Sequence, residues 1–178
     1  MKNNITSLIF IFLITPIYSW ADYPNTSIGV IDLNKILSES DAAIMASKQI
    51  EKIASEIEVE INESDEAIIK EQELLIESQA IMAPEAFESK RKDYENKVNN
   101  YNTERQAKLI RIDELIAISR NDVLNALKPI LEEFANEKGI TILLEKGSVM
   151  LNADKMDITD DVLKKLNKDM PKLEVSRN

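Results

Sequence analysis

Four aspartates near the carboxyl end are spaced closely enough to suggest a cation site: Asp154, Asp157, Asp160 and Asp161. Carboxylate oxygens are ligands that calcium prefers, but an EF-hand loop also needs a central glycine and a closing glutamate, which this segment lacks. Acidic residues are also common at the start of a helix, where they interact favourably with its dipole. We therefore interpret the group as the start of a short helix and predict no metal site.

The 178-residue chain contains no cysteine and no histidine, which limits the catalytic chemistry available to it. Thiol nucleophiles, Ser-His-Asp triads and imidazole metal ligands are excluded. Carboxylates and hydroxyls remain, but a carboxylate-based exported hydrolase would need a second domain to form a water-poor cleft. The sequence offers no such domain and no glycine-rich phosphate loop. We predict that the protein is not an enzyme and uses no cofactor.

Lys90, Arg91 and Lys92 form a run of three consecutive cations. Such a run could bind an acidic ligand or a phosphate-bearing lipid surface. Its alternative role is to pair with acidic residues of a neighbouring helix. The formal net charge of −10 argues against a general nucleic-acid binder, which should be basic.

Residues 1–21 have the features of a secretory signal peptide. Lys2 supplies the positive end, residues 8–14 form an unbroken apolar run, and Ser19-Trp20-Ala21 provides small residues for cleavage after Ala21. An uncleaved membrane anchor is the alternative, but the run is shorter than the roughly 18 to 20 residues of a membrane span. Cleavage removes one lysine and no acid, which takes the net charge from −10 to −11.

The remaining elements are organised around residues 41–138, a segment without glycine that we call the arm. Ser38-Glu39-Ser40-Asp41 provides N-cap candidates at its start, and Gly139 provides a C-cap after its end. Pro84 interrupts it, and proline is tolerated in the first turn of a helix but disrupts a helix interior. We predict two antiparallel helices, residues 41–82 and 84–138, with the tip near 83–84. One continuous kinked helix is the alternative.

An apolar stripe follows one face of each predicted helix. On the first helix, apolar residues recur every seven positions, which is typical of a helix that packs along a seam. Polar residues occupy other seam positions toward the tip, so the distal arm should be packed less tightly. The first stripe contains Ala54, Ile61, Ile68, Leu75 and Met82. The second contains Phe87, Tyr94, Val98, Tyr101, Leu109, Ile112, Ile116, Val123, Leu127, Ile130 and Phe134. We expect the second stripe to pack against the first helix; a ligand-binding aromatic platform is the alternative.

The two halves of the arm carry opposite charge. Residues 41–82 contain three basic and eleven acidic residues, whereas residues 84–112 contain seven basic and five acidic ones. Each exposed ion pair contributes only about 0.2 to 1 kcal/mol, but together the pairs favour an antiparallel register. The pairs predicted by folding back at the tip are Glu77 with Lys90, Glu71 with Lys97, and Glu58 with Lys108.

Short apolar segments flank the arm on both sides. Residues 27–33 predict a strand, and residues 140–145 and 149–152 predict a hairpin around Lys146-Gly147-Ser148. A short helix should follow, ending near Asn167, and residues 170–178 should be frayed.

Three short strands in one chain are too few for a stable core, and their edges must be paired or covered. We therefore expect several copies to share one small β-rich body, formed by residues 22–40 and 139–178. The fold class is mainly α: a long antiparallel helical hairpin, or coiled-coil arm, on a short-stranded oligomerisation domain. The residues expected to form the shared body are Ile28, Val30, Ile31, Leu33, Ile142, Leu144, Val149 and Leu151.

In this order the elements resemble the Skp (OmpH) family of periplasmic chaperones. The resemblance covers essentially the whole mature chain, and its closing Asp-Ile-Thr-Asp segment is the most specific part. The segments that carry it are Ile28-Gly29-Val30-Ile31-Asp32, Pro84-Glu85-Ala86-Phe87-Glu88, Lys128-Pro129-Ile130, residues 139–145, Asp157-Ile158-Thr159-Asp160-Asp161-Val162 and Leu166-Asn167.

The resemblance implies a periplasmic homotrimer whose three helical arms enclose a cavity that holds unfolded outer-membrane proteins without nucleotide. Well-studied members of that family are basic, so the negative net charge of this chain sets it apart. Any contact with lipopolysaccharide would have to be made through the cationic run Lys90, Arg91 and Lys92. The leading hypothesis is an ATP-independent holdase with a tip at Pro84 and a hinge at Pro129; alternatively, Pro129 merely bends the helix around the body. The alternative function is a structural coiled-coil protein of the envelope that binds a folded partner.

Overall fold

The computed structural model describes residues 26–177. The predicted signal peptide and its cleavage after Ala21 lie outside the described residues. The predicted fold class is confirmed: long helices dominate, and the only sheet among the described residues has two strands. The elements are β1 (Ile28–Ile31), α1 (Leu33–Glu39), α2 (Asp41–Ser78), α3 (Pro84–Lys138), β2 (Ile142–Glu145) and α4 (Thr159–Asp169), with short 3-10 turns at Lys146–Ser148 and Asp154–Met156.

Helices α2 and α3 form the predicted antiparallel hairpin. The Ser40 hydroxyl caps α2 by accepting from the Ala43 N–H, Pro84 occupies the first turn of α3, and Gly139 ends α3 with a left-handed φ of 63°. Helix α2 stops at Ser78, four residues before the predicted end. The buried Ser78 hydroxyl donates to the Leu75 carbonyl at 2.7 Å, and the chain turns tightly from there to Ala83.

Ion pairs between α2 and α3 show the register of the hairpin. The predicted contact between Glu71 and Lys97 is present, but Lys108 binds Glu60 at 2.9 Å rather than Glu58. Glu60 and Glu71 are eleven residues apart, close to three helical turns, so they share the side of α2 that faces α3. Glu58 lies on another side. The predicted pair of Glu77 with Lys90 is not formed among the residues that the structure describes.

The core of the body lies where the end of α3 meets α1, the start of α2 and α4. Asp32 begins α1 by accepting from the Lys35 N–H at 2.8 Å, and the sequence had not indicated this helix. The Asp41 N–H donates to the Asn167 side chain of α4 at 2.9 Å, which ties the start of the arm to the body. The buried residues are Ile31, Ile36, Ala42, Val123, Leu127, Ile130, Ile158, Val162 and Leu166.

Strands β1 and β2 pair in parallel, with Ile28 opposite Ile142 and Val30 opposite Leu144. The predicted hairpin between residues 140–145 and 149–152 is wrong. The partner of β2 is instead β1, which comes from the other end of the arm, and Lys146 binds Asp157 at 2.8 Å, which directs the chain away from β2. Val149 and Leu151 are therefore in no strand, and Leu33 belongs to α1.

Candidate functional site

An apolar groove of about 500 Å³ follows one side of the α2–α3 seam near the body. Its α2 wall contains the small residues Ala43, Ala46 and Ala54 beside Ile50 and Glu51. The three alanines lie on one face of the helix because they are spaced by threes, fours and multiples of them. Its α3 wall includes Ile112 and Ile116. The small side chains leave space that α3 does not fill, so the groove could accept an apolar side chain of another segment.

The second predicted stripe is therefore wrong at two positions. Ile116 is 51% exposed at the groove, and Leu109 is also exposed. Leu115 and Ser119, which the stripe did not include, are buried instead. Ile112, Leu115, Ser119 and Val123 are also spaced by threes and fours, so periodicity alone did not distinguish this face from the predicted one.

Exposed aliphatic side chains occur along α2 as far as the tip and on α3 from Leu109 to Ile118, on faces that also carry carboxylates. Ile81 at the tip is the most exposed of them. Scattered exposed aliphatic residues are normal on a protein surface, but a long arm distributes them over many separate contact points. The residues are Ile44, Val59, Ile69, Leu74, Ile76, Ile81, Leu109, Ile110, Ile116 and Ile118.

The outer face of the sheet is also apolar and only partly covered, since Val30, opposite Leu144, is buried. Ile142 and Leu144 are 43% and 38% exposed, and Ile28 lies on the same face. No strand pairs with the free edge of β2 within residues 26–177. Of the residues predicted for a shared body, Val30, Ile31 and Leu33 are buried or half-buried within their own chain, Val149 is half-buried, and Leu151 is exposed.

Three of the four clustered aspartates form ion pairs with lysines. Lys35 binds Asp160 and Lys138 binds Asp161, each at 2.7 Å, and Lys146 binds Asp157. Burial raises the pKa of the Asp157 carboxyl, but the Lys146 ammonium and the Thr159 donors outweigh this effect and lower the pKa to about 2. These ion pairs therefore link the residues at the start of α4 to α1, to the end of α3 and to the residue that follows β2.

A sequence model described as "Outer membrane protein (OmpH-like)" matches residues 27–166. The chain belongs to the OmpH-like family. The fold agrees with a solved structure of a candidate outer membrane chaperone (OmpH-like) from Caulobacter crescentus CB15, with a TM-score of 0.78 and 18% sequence identity. That match covers 88% of this chain and 92% of the other. No curated protein sequence matches the chain.

The cationic run of this OmpH-like protein lies in the first turns of α3, next to the tip of the arm. Arg91 binds Glu88 at 2.7 Å and also contacts Glu95 on its own helix. The hydrogen bond from Arg91 lowers the pKa of the Glu88 carboxyl. Lys90 and Lys92 are exposed and form no ion pair within the described part of the chain. Contact with an acidic ligand would therefore depend mainly on these two lysines.

The segment after α4 extends beyond the matched OmpH-like residues, and we call residues 170–177 the C-terminal segment. The prediction that it is frayed is wrong: it lies against the arm, and Leu173 and Val175 pack on buried clusters. The alternation of Leu173, Glu174, Val175 and Ser176 was the signal that could have indicated an extended, docked segment. No helix among residues 26–177 combines the length and hydropathy that crossing a bilayer requires.

Proposed function

We propose that this OmpH-like protein is an ATP-independent periplasmic holdase that binds unfolded outer-membrane proteins and prevents their aggregation. Family membership and the fold it shares with a candidate outer membrane chaperone support a chaperone role. The observation that carries the proposal is the uncovered apolar groove beside the α2–α3 seam. An unfolded chain exposes apolar side chains, and this groove offers them a place removed from water.

The exposed aliphatic residues of the arm would supply further, weaker contacts. Each buried CH₂ group contributes about 0.8 kcal/mol, so one half-exposed isoleucine adds little by itself. Many such contacts along an arm whose α3 helix is about 82 Å long can retain a chain without fixing one conformation. A client held in this way stays mobile and is released without a chemical energy source.

Assembly into a homotrimer would complete the site, with the client in a cavity between three arms. The apolar outer face formed by Ile28, Ile142 and Leu144 and the free edge of β2 support self-association, since such edges are normally covered. The mass of the purified mature protein in solution should be three times that of the chain. Leu144→Asp should reduce this mass, whereas Ser148→Asp on the adjacent exposed turn should leave it unchanged. A wild-type protein that is monomeric would contradict the trimer.

Flexible arms would let clients of different size enter, with Pro84 at the tip and Pro129 as the hinge. Pro129 is exposed on α3, and its sequence neighbours Leu127 and Ile130 are buried in the core of the body. Pro129→Ala should narrow the range of arm spread measured by small-angle scattering if the proline acts as a hinge. An unchanged range would leave the proline only the role of bending α3 around the body.

The holdase activity is tested by diluting a urea-unfolded outer-membrane barrel protein into buffer that contains the mature protein. Near-stoichiometric amounts should keep the barrel protein soluble, as measured by light scattering. Ser47 lines the groove and is exposed, so Ser47→Trp should block the groove and weaken this effect. Asn62→Trp, on an exposed part of α2 outside the groove, is the control. If the wild-type protein does not suppress aggregation, the proposed function is wrong.

A further inference from the structure

We call the part of α2 and α3 next to the body the root of the arm. The C-terminal segment occupies a second site at this root, on a different side of the hairpin from the groove. It contacts α2 through Gln49 and Glu60, and α3 through Arg111. At about 100° per residue, Gln49 and Glu60 lie roughly 100° to 140° around α2 from Ala43 and Ala54 of the groove. The two sites are therefore separate, and only one of them is filled.

The polar contacts at this second site are made mostly to backbone atoms. The Gln49 side-chain amide donates to the Leu173 carbonyl at 2.8 Å and accepts from the Val175 N–H at 3.0 Å. In a parallel β-ladder, a residue of the neighbouring strand makes the same two hydrogen bonds, to the carbonyl before and the N–H after the residue opposite it. Gln49 thus takes the place of a strand residue opposite Glu174. Arg111 donates to the carbonyls of Arg177, at 3.1 Å, and Ser176. Bonds to backbone atoms do not depend on the side chains of the bound segment.

The side-chain contacts require apolar residues at alternate positions. Leu173 packs against the core of the body, and Val175 packs against the cluster around Ile57 and Leu115 in the arm. Glu174 between them is exposed. The only ion pair that the structure shows for the segment is that of Arg177 with Glu60, at 2.7 Å, and Glu60 also binds Lys108. The site thus accepts an extended backbone with two apolar side chains spaced by two residues.

We propose that this side of the arm root is a binding site for extended peptides with alternating apolar residues, and that the C-terminal segment is its built-in occupant. Transmembrane β-strands of outer-membrane barrels have this alternation, because every second side chain faces lipid. Because this proposal rests on the proposed holdase function, we assign unfolded barrel strands as the ligands that displace the segment. The segment lies beyond residues 27–166, which the family model matches.

Hydrogen exchange in the intact mature protein tests the site directly. The Val175 amide should exchange slowly because it donates to Gln49. Gln49→Ala removes both hydrogen bonds that Gln49 makes to the segment and should accelerate exchange at least about fivefold. Gln72→Ala is the matched control, since Gln72 is an exposed glutamine on the distal part of the same helix. Val175→Asp should also release the segment, whereas Glu174→Ser should not.

Displacement is tested by adding synthetic octapeptides to the intact protein. One peptide corresponds to residues 170–177 and keeps Leu at its fourth position and Val at its sixth, which match Leu173 and Val175. Its other positions are Thr, Ser or Asn. The other has the same composition with Leu and Val adjacent. The alternating peptide should accelerate exchange at Val175 at least about tenfold more effectively than the adjacent one. Equal effects of the two peptides, or no effect of either, would overturn the proposal.

The aggregation assay separates this inference from the proposed function. If neither peptide releases the segment but the protein still keeps the barrel protein soluble, the peptide site is wrong and the holdase function stands. If the alternating peptide binds but aggregation is not suppressed, the site stands and the assignment of barrel strands as its ligands fails together with the holdase function.

Discussion

The root and the distal part of the arm belong to the same two helices, but their seams are filled differently. At the root, Ile53, Ile57 and Leu115 belong to one buried apolar cluster, which Val175 of the C-terminal segment also covers. Beyond Ile61 the seam contains polar contacts instead, such as the hydrogen bond from Tyr101 to Asp65. Polar pairs between two exposed helices stabilise a structure less than a buried cluster does.

From this difference we infer that a third element, rather than the two helices themselves, makes the root more rigid than the distal arm. Two helices alone cannot cover both sides of their seam. At the root, the body and the C-terminal segment supply the missing cover, whereas the distal arm has no third element among the described residues. We expect the distal arm to adapt to its surroundings while the root keeps a fixed geometry.

Replacing a leucine by alanine should give the largest difference in unfolding free energy between the distal arm and the body, to which the root is anchored. Leu127, 1% exposed, lies within the core of the body, whereas Leu75, 8% exposed, lies outside both buried clusters. Leu127→Ala should cost about 3 to 5 kcal/mol of unfolding free energy because a cavity remains. Leu75→Ala should cost less than about 2 kcal/mol, since two helices can close around the gap. Urea unfolding measures both, and equal losses would contradict the comparison.

Removal of residues 170–178 should have the next largest effect, and only at the root. Three half-buried apolar side chains would be lost, Met170 and Leu173 from the body and Val175 from the seam, which corresponds to about 3 kcal/mol. Amides of α2 between Gln49 and Ile61 should then exchange faster, while those near Leu75 should not change. Faster exchange along the entire arm would show that the segment supports the whole hairpin rather than its root.

Single ion pairs of the distal arm should matter much less. Lys97→Ala removes the contact with Glu71, and the expected loss is below about 1 kcal/mol because both side chains are exposed. Lys90→Ala, which removes an exposed lysine without an ion pair in the described chain, should change the unfolding free energy even less. A loss of several kcal/mol for Lys97→Ala would mean that polar contacts, not the root, hold the arm together.

Acid should weaken the contact of the C-terminal segment with Glu60 at the root. The hydrogen bonds from Arg177 and Lys108 lower the pKa of the Glu60 carboxyl from its ordinary value of 4.5 to about 2. Because the pKa is lower in the folded chain, this stabilisation is complete above pH 4.5 and is lost as pH falls toward 2. Hydrogen exchange at the Val175 amide, corrected for its intrinsic rate, should therefore become faster as the pH falls from 4.5 toward 2. Glu60→Gln should remove this pH dependence, whereas Glu58→Gln should not.

The hairpin could be predicted because its signals are local. Pro84 at the first turn of α3, the Ser40 cap and the left-handed Gly139 act within a few residues of each helix end, and the structure confirms them. Helix α1 was missed because residues 27–33 resemble one continuous strand. Only the cap formed by Asp32 shows where the strand ends and the helix begins.

Long-range pairing was the part that the sequence could not specify. Gly147 suggested a hairpin between two neighbouring segments, but β2 pairs with β1, more than a hundred residues away. Two apolar segments of similar length are equally suitable partners on sequence evidence alone. The choice depends on α3 carrying the chain back to the body, where Ile158 also donates to the Val30 carbonyl at 2.9 Å.

The sequence by itself determined the long antiparallel arm, its tip and its charge, because helix caps, proline positions and heptad spacing act over short distances. Tertiary structure alone decided the parallel pairing of β1 with β2 and the docking of the C-terminal segment on Gln49. Those contacts join residues more than a hundred positions apart. They form only after the hairpin has brought both ends of the chain to the same place, so no local pattern could specify them.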